Sequence, residues 1–467
     1  MVVALTLSLF GGCQKERESD PNGRLLSFSS DTLAFDTVFT AIGSPTKNLR
    51  VINPTYNRVV ISSVRLGGGD KSSFRLNVNG EASSEVFNVE IPARDSIYIF
   101  VEANLNKSGS HSELMAEDSI IFRIHNRDQQ VRLLAWGKDY KLIRSEAIKT
   151  TTWTKEKPYL VYGYAFVDSC RTLTIEPGTT IYFHKNAGLL IKGTLLVRGS
   201  YHEPVLLRGD RLEGVYSNLP DQWNGITLLS GSHNNVIDHA IIKNASIGLQ
   251  VGTIEKSGFA SVELTNSRIE NMGWSGIWAM KSKILAYNCV IANVRYYNTA
   301  LLLGGDYQFY HTTFANYNTD VPGYIRTTET ITISNYLDNS KQGAKYIGDL
   351  TQATFGNCII SGSNHTELKI SIDKQGKGNY LFDHCLIQIP DTFRLPSPER
   401  FVSILRQLPP RFINPQRGNF ELDTLSVAKD YGRDIYGKKV PFDLKGVSRT
   451  TDAGPDLGAF ERVEKKK

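Results

Sequence analysis

One short phrase returns six times between residues 235 and 389, and its return restricts the fold more than composition does. The copies begin at Asn235, Val262, Ile284, Tyr307, Ala353 and Tyr380. A polar column holds His239, Asn266, Asn288, His311, Asn357 and His384. A column of small residues follows, with Ala240, Ser267, Cys289, Thr312, Cys358 and Cys385. Two residues on, an apolar column holds Ile242, Ile269, Ile291, Phe314, Ile360 and Ile387. The polar column recurs after 27, 22, 23, 46 and 27 residues. The 46 reads as two turns of 23, with Ile331-Thr-Ile-Ser-Asn335 as a degraded copy between them.

A period in the twenties marks a repeat architecture. Inside each copy apolar residues alternate with period two and show no helical spacing, so each copy is made of strands. No copy can bury its apolar side alone. Stacked at ~4.8 Å per turn, like residues align and close one long core. The size of one turn fits a right-handed parallel β-helix. A second phrase sets the register: Gly225-Ile-Thr-Leu, Gly248-Leu-Gln-Val, Gly276-Ile-Trp-Ala and Ala300-Leu-Leu-Leu. Alternation sends Ile226, Leu249, Ile277 and Leu301, with Leu228, Val251, Ala279 and Leu303, into the core. It sends Thr227, Gln250, Trp278 and Leu302 to an outer face.

Ahead of the repeats, residues 28–140 hold eight short apolar runs, punctuated by Asn53-Pro54, Gly67-Gly-Gly69 and Asn79-Gly80. That spacing fits one Ig-like β-sandwich. The expected fold class is therefore all-β: an Ig-like β-sandwich over 28–140, a linker, and a right-handed parallel β-helix over 150–390. A C-terminal capping segment and tail fill 391–467. The phrases Arg50-Val-Ile-Asn-Pro54 and Ile91-Pro-Ala-Arg-Asp-Ser-Ile97 resemble Ig-like domains of the ASH and choice-of-anchor type. The resemblance implies a module that binds or spaces.

Met1 to Gly12 is apolar, too short to span a membrane as a helix, and ends in small residues before Cys13. Residues 1–13 resemble a bacterial lipoprotein signal peptide in which Cys13 is lipidated, although no Lys or Arg precedes the apolar run. Residues 14–27 are a polar tether, similar to that of surface lipoproteins of the Bacteroidota. This resemblance implies a membrane partner through a lipid anchor and an outer-membrane, cell-surface location, the periplasmic face being the alternative. The triplets around Thr32, Thr37, Ser96, Ser119 and Thr424 match the Asp-Ser/Thr-apolar glycosylation pattern described for the same bacteria. Charge is balanced, 53 basic against 47 acidic residues, with no basic stripe interleaved with aromatics, which argues against a nucleic-acid partner.

Glu176-Pro-Gly-Thr179, Ile191-Lys-Gly-Thr-Leu195, Pro204-Val-Leu-Leu-Arg-Gly209 and Gln222-Trp-Asn-Gly-Ile226 resemble the opening coils of bacterial β-helix proteins with a pectin-lyase-like fold. The tail with Asp443, Arg449, Asp452 and Asp456 resembles the end of the same group, and reads as a cap over the last coil. Polysaccharide lyases and hydrolases share that fold, so the fold alone decides nothing. A calcium-dependent lyase needs clustered carboxylates and a base, and a hydrolase needs paired carboxylates. The outer face Thr227, Gln250, Trp278 and Leu302 offers neither. No catalytic residue and no metal site are assigned, and no cofactor is expected; calcium enters only with the lyase alternative.

Histidines mixed with asparagines in one column read as a structural corner whose side chains bond along the stack. Asn244, Asn271, Asn293 and Asn316 read as a second such ladder. Cys289, Cys358 and Cys385 read as buried thiols, with a Cys358–Cys385 disulfide left open. Asp306 and Asp320 lie on loops. The ligand signal is aromatic: Trp274, Trp278, Tyr296, Tyr297 and Tyr310, with Tyr287 nearby and Arg295 as a hydrogen-bonding edge, while Tyr307 aligns with core positions. Rings on neighbouring coils make stacking platforms for sugars. The expected function is a non-catalytic surface binding or adhesion lipoprotein for a polysaccharide or host glycan. The alternatives are a polysaccharide lyase or glycoside hydrolase, and a structural spacer.

Overall fold

The computed structural model describes residues 26–39, 43–105, 114–124, 126–254, 258–317, 326–339 and 344–462. Cys13, Asp320 and the side chain of Thr37 lie outside the described set. The chain divides into two units, 1–140 and 141–467.

The first unit is a β-sandwich of two five-stranded sheets. One runs Ser27–Phe28, Lys47–Ile52, Ser96–Ala103, Phe74–Val78, Glu81–Ala82; the other runs Thr32–Phe39, Arg127–Lys138, Leu114–Ile124, Val59–Leu66, Glu85–Ile91. Alternate residues of both sheets, among them Leu49, Val51, Ile61, Val64, Ile99 and Phe122, meet in one core. All pairings are antiparallel except that of Arg127–Lys138 with Thr32–Phe39. The two phrases that carry the Ig-like resemblance touch. Buried Asn53 donates from Nδ2 to the carbonyls of Ile91 and Pro92, and its Oδ1 accepts from the backbone and hydroxyl of Thr55. The asparagine thus ties one strand end to the next, which is why that position needs an amide.

The second unit is a parallel β-helix, a continuous sheet of 26 strands. It begins at Lys141–Ile148, which pairs in parallel with Tyr159–Val167, so residues expected as a linker already form coil. Each coil contributes to three faces. Face A stacks Thr180–Phe183, Val205–Gly209, Ala240–Lys243, Arg268–Met272, Val290–Val294, Thr313–Asn316, Ile359–Gly362, Leu386–Ile387 and Leu405–Arg406. Face B stacks Gly188–Ile191, Trp223–Leu228, Ala245–Val251, residues 275–280 and 297–302, Ile331–Ser334 and Leu368–Ser371. Face C stacks Thr172–Ile175, Thr194–Arg198, Asn235–Asp238, Ser261–Thr265, residues 282–287 and 305–310, Leu350–Gly356, Leu381–Asp383 and Phe401–Val402.

The apolar column is the inner row of face A: Ile242, Ile269, Ile291, Phe314, Ile360 and Ile387 pair in that order and are fully buried. On face C, Phe309, Phe355, Phe382 and Phe401 stack face to face at 5.1, 4.7 and 5.1 Å, the spacing of the coils themselves. The small column is buried because it sits at the tight bend between faces C and A. Its cysteines are free thiols, and they donate to backbone carbonyls, Cys289 to Leu264 and Cys385 to Phe355, both at 3.3 Å. Burial pushes the Cys289 thiol up to about 12.

The polar column is that same bend. His239, Asn266, Asn288, His311, Asn357 and His384 all have φ between 45° and 53°. Left-handed backbone disfavours most side chains and admits Asn and His more readily, which explains the residue types without any chemistry. Side-chain bonds run along only part of it: Asn288 donates to Asn266 Oδ1, Asn266 to Asp238 Oδ1, and the Asn357 amide meets His311 Nε2 at 3.1 Å. The second ladder is one of backbone conformation. Asn244, Asn271 and Asn293 share positive φ, and Asn316 does not; it ends a strand and accepts from Val294 N.

Three expectations about register fail. Trp278 pairs with Ala300 and not with Leu302, so the last copy of the second phrase is displaced by two residues. Leu303, with φ 59°, leaves the inner core and packs outside with Met280, Ala300 and Leu302 beside Leu337 of the hairpin Tyr336–Asn339/Ala344–Ile347. The 46-residue spacing is one coil, because residues 305–310 pair directly with Leu350–Gly356. Ile331–Ser334 is a face B strand within it, not a copy of the first phrase.

The tail also differs from expectation. Phe393, Leu395 and Ile404 pack, partly buried, against the core of the stack. Residues 407–462 form a strap along the outside of face A. Phe420, Leu444, Ala459 and Phe460 cover Val290, Ala292 and Ala315, while Leu422, Ala428 and Leu457 cover Ile359 and Leu386.

Candidate functional site

Four of the six residues expected to bind ligand come together. Trp278 is on the outer row of face B, after Gln250, and Tyr297 opposes Ser275 on the next strand. Trp274 and Tyr296 lie in the turns that enter face B on successive coils. The ring of Trp274 is 4.8 Å from that of Tyr296, 5.8 Å from Tyr297 and 6.1 Å from Trp278, and Trp278 lies 5.7 Å from Tyr297. The planes are tilted or edge-on, which suits their quadrupoles. Trp274 is 41% exposed and the other three are half-buried, so the patch presents rings held by one another.

Arg295 borders this patch, and Asp221 fixes it with an Nη1–Oδ2 distance of 2.9 Å. Asp221 sits at positive φ, and its carboxylate fills the space that a side chain at Gly273 would need. Nothing in the local sequence marked Asp221 as the partner, since 74 residues separate the pair. Tyr310 is not part of the patch. It lies on face C, where it stacks on Tyr436 at 5.2 Å beneath Lys439, 4.0 Å from the ring, and is buried by the strap. Tyr287 is also on face C, donating to Glu263, and Tyr307 is fully buried in line with Val262 and Ile284.

The outer row of face B continues from Thr227 through Gln250, Trp278, Ala300 and Thr332 to Lys369, with no carboxylate in it. Two Asp-His pairs lie at the bends, Asp238–His239 at 3.0 Å and Asp383–His384 at 2.7 Å. The same pairing at two distant coils belongs to the bend geometry. Burial opposes ionisation of Asp238, yet hydrogen bonds from His239, Thr265 and Asn266 hold it below the usual carboxylate range. Asp383 behaves alike through His384, Tyr436 and Arg433, and so anchors the strap helix Asp434–Lys439.

Asp306 does meet other charged groups. It shares a cavity of about 570 Å³ with Asp349, Lys281, Lys283 and the exposed ring of Phe259, and Lys283 Nζ stands 3.6 Å from its carboxylate. Sequence spacing hid Asp349, which returns after the face B excursion. Among the described residues, no three His, Cys, Asp or Glu side chains gather as metal ligands.

Of the glycosylation candidates, Thr424 is exposed, next to Asp423. Thr32, Ser96 and Ser119 are half-buried in strands, and the Ser96 hydroxyl accepts from Arg50 Nε at 2.9 Å. Asp443, Arg449 and Asp456 do form one group, but inside the strap. Fully buried Arg449 donates to Glu461 Oε1 at 2.6 Å and to Asn288 Oδ1 at 2.9 Å. Asp443 accepts from the backbone of Lys445, Val447 and Glu461, and Asp456 from that of Asp430 and Arg462. Asp452 is exposed and stands apart from these bonds.

No family model matches the sequence, and no curated protein does. Among solved structures the chain is similar to the ASH / PapD-like domain of human CEP192 (PapD-like domain 7). That match has 9% identity, covers 26% of this chain and 92% of that one, and has a TM-score of 0.17. At that score the likeness carries no argument, and the sandwich rests on its own strands.

Proposed function

We propose that the chain is a non-catalytic glycan-binding or adhesion protein of the cell envelope, with the aromatic patch of face B as its binding platform. The observation that supports this is the cluster of Trp274, Trp278, Tyr296 and Tyr297 beside the Arg295–Asp221 pair. Sugar rings offer apolar C–H faces that lie on aromatic rings, and a fixed guanidinium supplies donors to ring hydroxyls. A rigid stack holds the platform without loop closure, so little ordering entropy opposes binding. The lipid anchor at Cys13, the Bacteroidota-type surface location and the pectin-lyase-like kinship belong to the same reading, and rest on the sequence motifs alone.

A second reading is a polysaccharide lyase or hydrolase. It is favoured by the cavity where Asp306, Asp349 and Lys283 converge. One screen separates the two. The protein is titrated against plant, host and microbial polysaccharides, with and without calcium, recording affinity and the release of unsaturated or reducing ends. Binding without product, lost in Trp274→Ala and Trp278→Ala, is the expected result. Product release abolished by Asp306→Asn would replace it with the enzyme.

A further inference from the structure

The outward row of face A runs Leu206, Ile241, Arg268, Val290, Thr313, Ile359, Leu386. From Val290 onward the strap covers it. Before Arg268 the row is still apolar, yet Leu206 and Ile241 stay half-exposed. At that boundary the strap and the stack enclose a cavity of about 430 Å³. Its apolar surface comes from Ala240, Ile241, Leu444 and Phe460, with Tyr201 and Pro204 at one side.

The polar lining is cationic. Arg268, Arg417 and Lys445 face one carboxylate, Glu421. Lys445 and Glu421 pair at 2.8 Å, and Arg268 is held by Glu270 and by the carbonyl of Gly418. The guanidinium of Arg417 has no ion pair or hydrogen bond among the described residues, and neither has Nη1 of Arg268. Asn266, Asn419 and Ser200 add neutral hydrogen-bonding groups. A cavity of this size, mostly apolar with a few convergent polar groups, has the character of a small-ligand site.

We propose that this cavity binds an anionic sugar unit. The ring lies on Ile241, Leu444 and Phe460, and the charged substituent, carboxylate or sulfate, faces Arg417 and Arg268. Arginine forks match both groups, and a neutral sugar leaves them without a counter-charge. The site stands on a different face from the aromatic platform, so either can fail without the other.

The test uses the full chain with labelled isoleucine and leucine methyl groups. Glucose 6-sulfate, glucuronate, glucose and inorganic sulfate are titrated while the Ile241 and Leu444 methyl signals are followed. The expected result is saturable shifts with glucose 6-sulfate or glucuronate, and the stronger of the two names the substituent. Arg417→Glu, at an exposed side chain without a structural partner, should weaken binding at least tenfold. Ile241→Trp should abolish the Leu444 shift by filling the cavity, whereas Tyr98→Ala, at an exposed ring of the sandwich, should leave binding unchanged. Equal shifts with glucose would remove the role of charge. Equal shifts with inorganic sulfate would remove the role of the sugar. No shift with any probe, or shifts insensitive to both Arg417→Glu and Ile241→Trp, would overturn the proposal.

Discussion

Faces A and B are built by the same coils, yet their outer rows differ in kind. Under the strap, face A turns small or apolar side chains outward: Val290, Ala292, Ala315 and Ile359. Face B turns out Thr227, Gln250 and Trp278. Both inner rows are alike because both line one core. The outer row therefore records what lies on it: the strap in the first case; solvent or a ligand in the second as far as Trp278, with Ala300 beyond it buried beside Leu337. A repeat fixes the inside by register and leaves the outside free to vary.

The contrast should break hardest at Arg449. Its guanidinium is buried with Glu461, and replacing it with alanine strands a charge. Arg449→Ala should cost about 3–5 kcal/mol and release the strap, seen by denaturant unfolding and by cleavage within 407–462. Next comes a matched pair. Ala315→Lys puts bulk and charge beneath the strap and should cost about 1–3 kcal/mol from overpacking alone. Thr227→Lys, the same side chain on face B, should stay within ~0.5 kcal/mol. Equal costs in the two variants would erase the distinction between the faces.

A subtler handle is pH. Burial pushes Glu461 up to about 7 despite Arg449, and Asp456 up to about 6. Acids raised on folding favour the fold while protonated, so their contribution is full below the unfolded values near 4 and is lost as pH rises to 7. Buried His311 is held well below its usual value, first by desolvation and then by Arg449, so it acts in the opposite sense below pH 6.5. In His311→Asn, a residue that the same bend accepts at 266, 288 and 357, only the acids remain. The unfolding midpoint of that variant should fall steadily from pH 4 to 7, more steeply than in the parent. A small stability effect also belongs to the platform. Trp278→Ala should cost about 1 kcal/mol, yet reduce glycan affinity about tenfold, by calorimetry.

The inner structure was legible because period and alternation are properties of sequence. The column Ile242 to Ile387 and the burial of Tyr307 follow from spacing alone. What spacing could not give was the outside. Tyr310 looked like Tyr296 until the strap, more than 100 residues later, was laid over it. The 46-residue gap looked like two coils because 46 is twice 23; only strand pairing shows Leu350–Gly356 following residues 305–310 directly. Polar columns were readable as corners, but their cause, left-handed backbone at every position except Asn316, is conformational and appears only in φ. The Arg295–Asp221 pair joins different coils, a relation that no local pattern encodes.

The excursion between Asn316 and Leu350 also bears on how fast the chain can fold. Pairing advances from one formed turn to the next, closing a segment such as the 22 residues from Asn266 to Asn288. At His311 and Asn357 it must close 46. Closure entropy grows only logarithmically, about 0.6 kcal/mol per doubling, or roughly a threefold slowing. Zippering along the stack therefore meets a brief pause there and no barrier. The segment between Asn316 and Leu350 is a place at which the chain can lengthen at small kinetic cost.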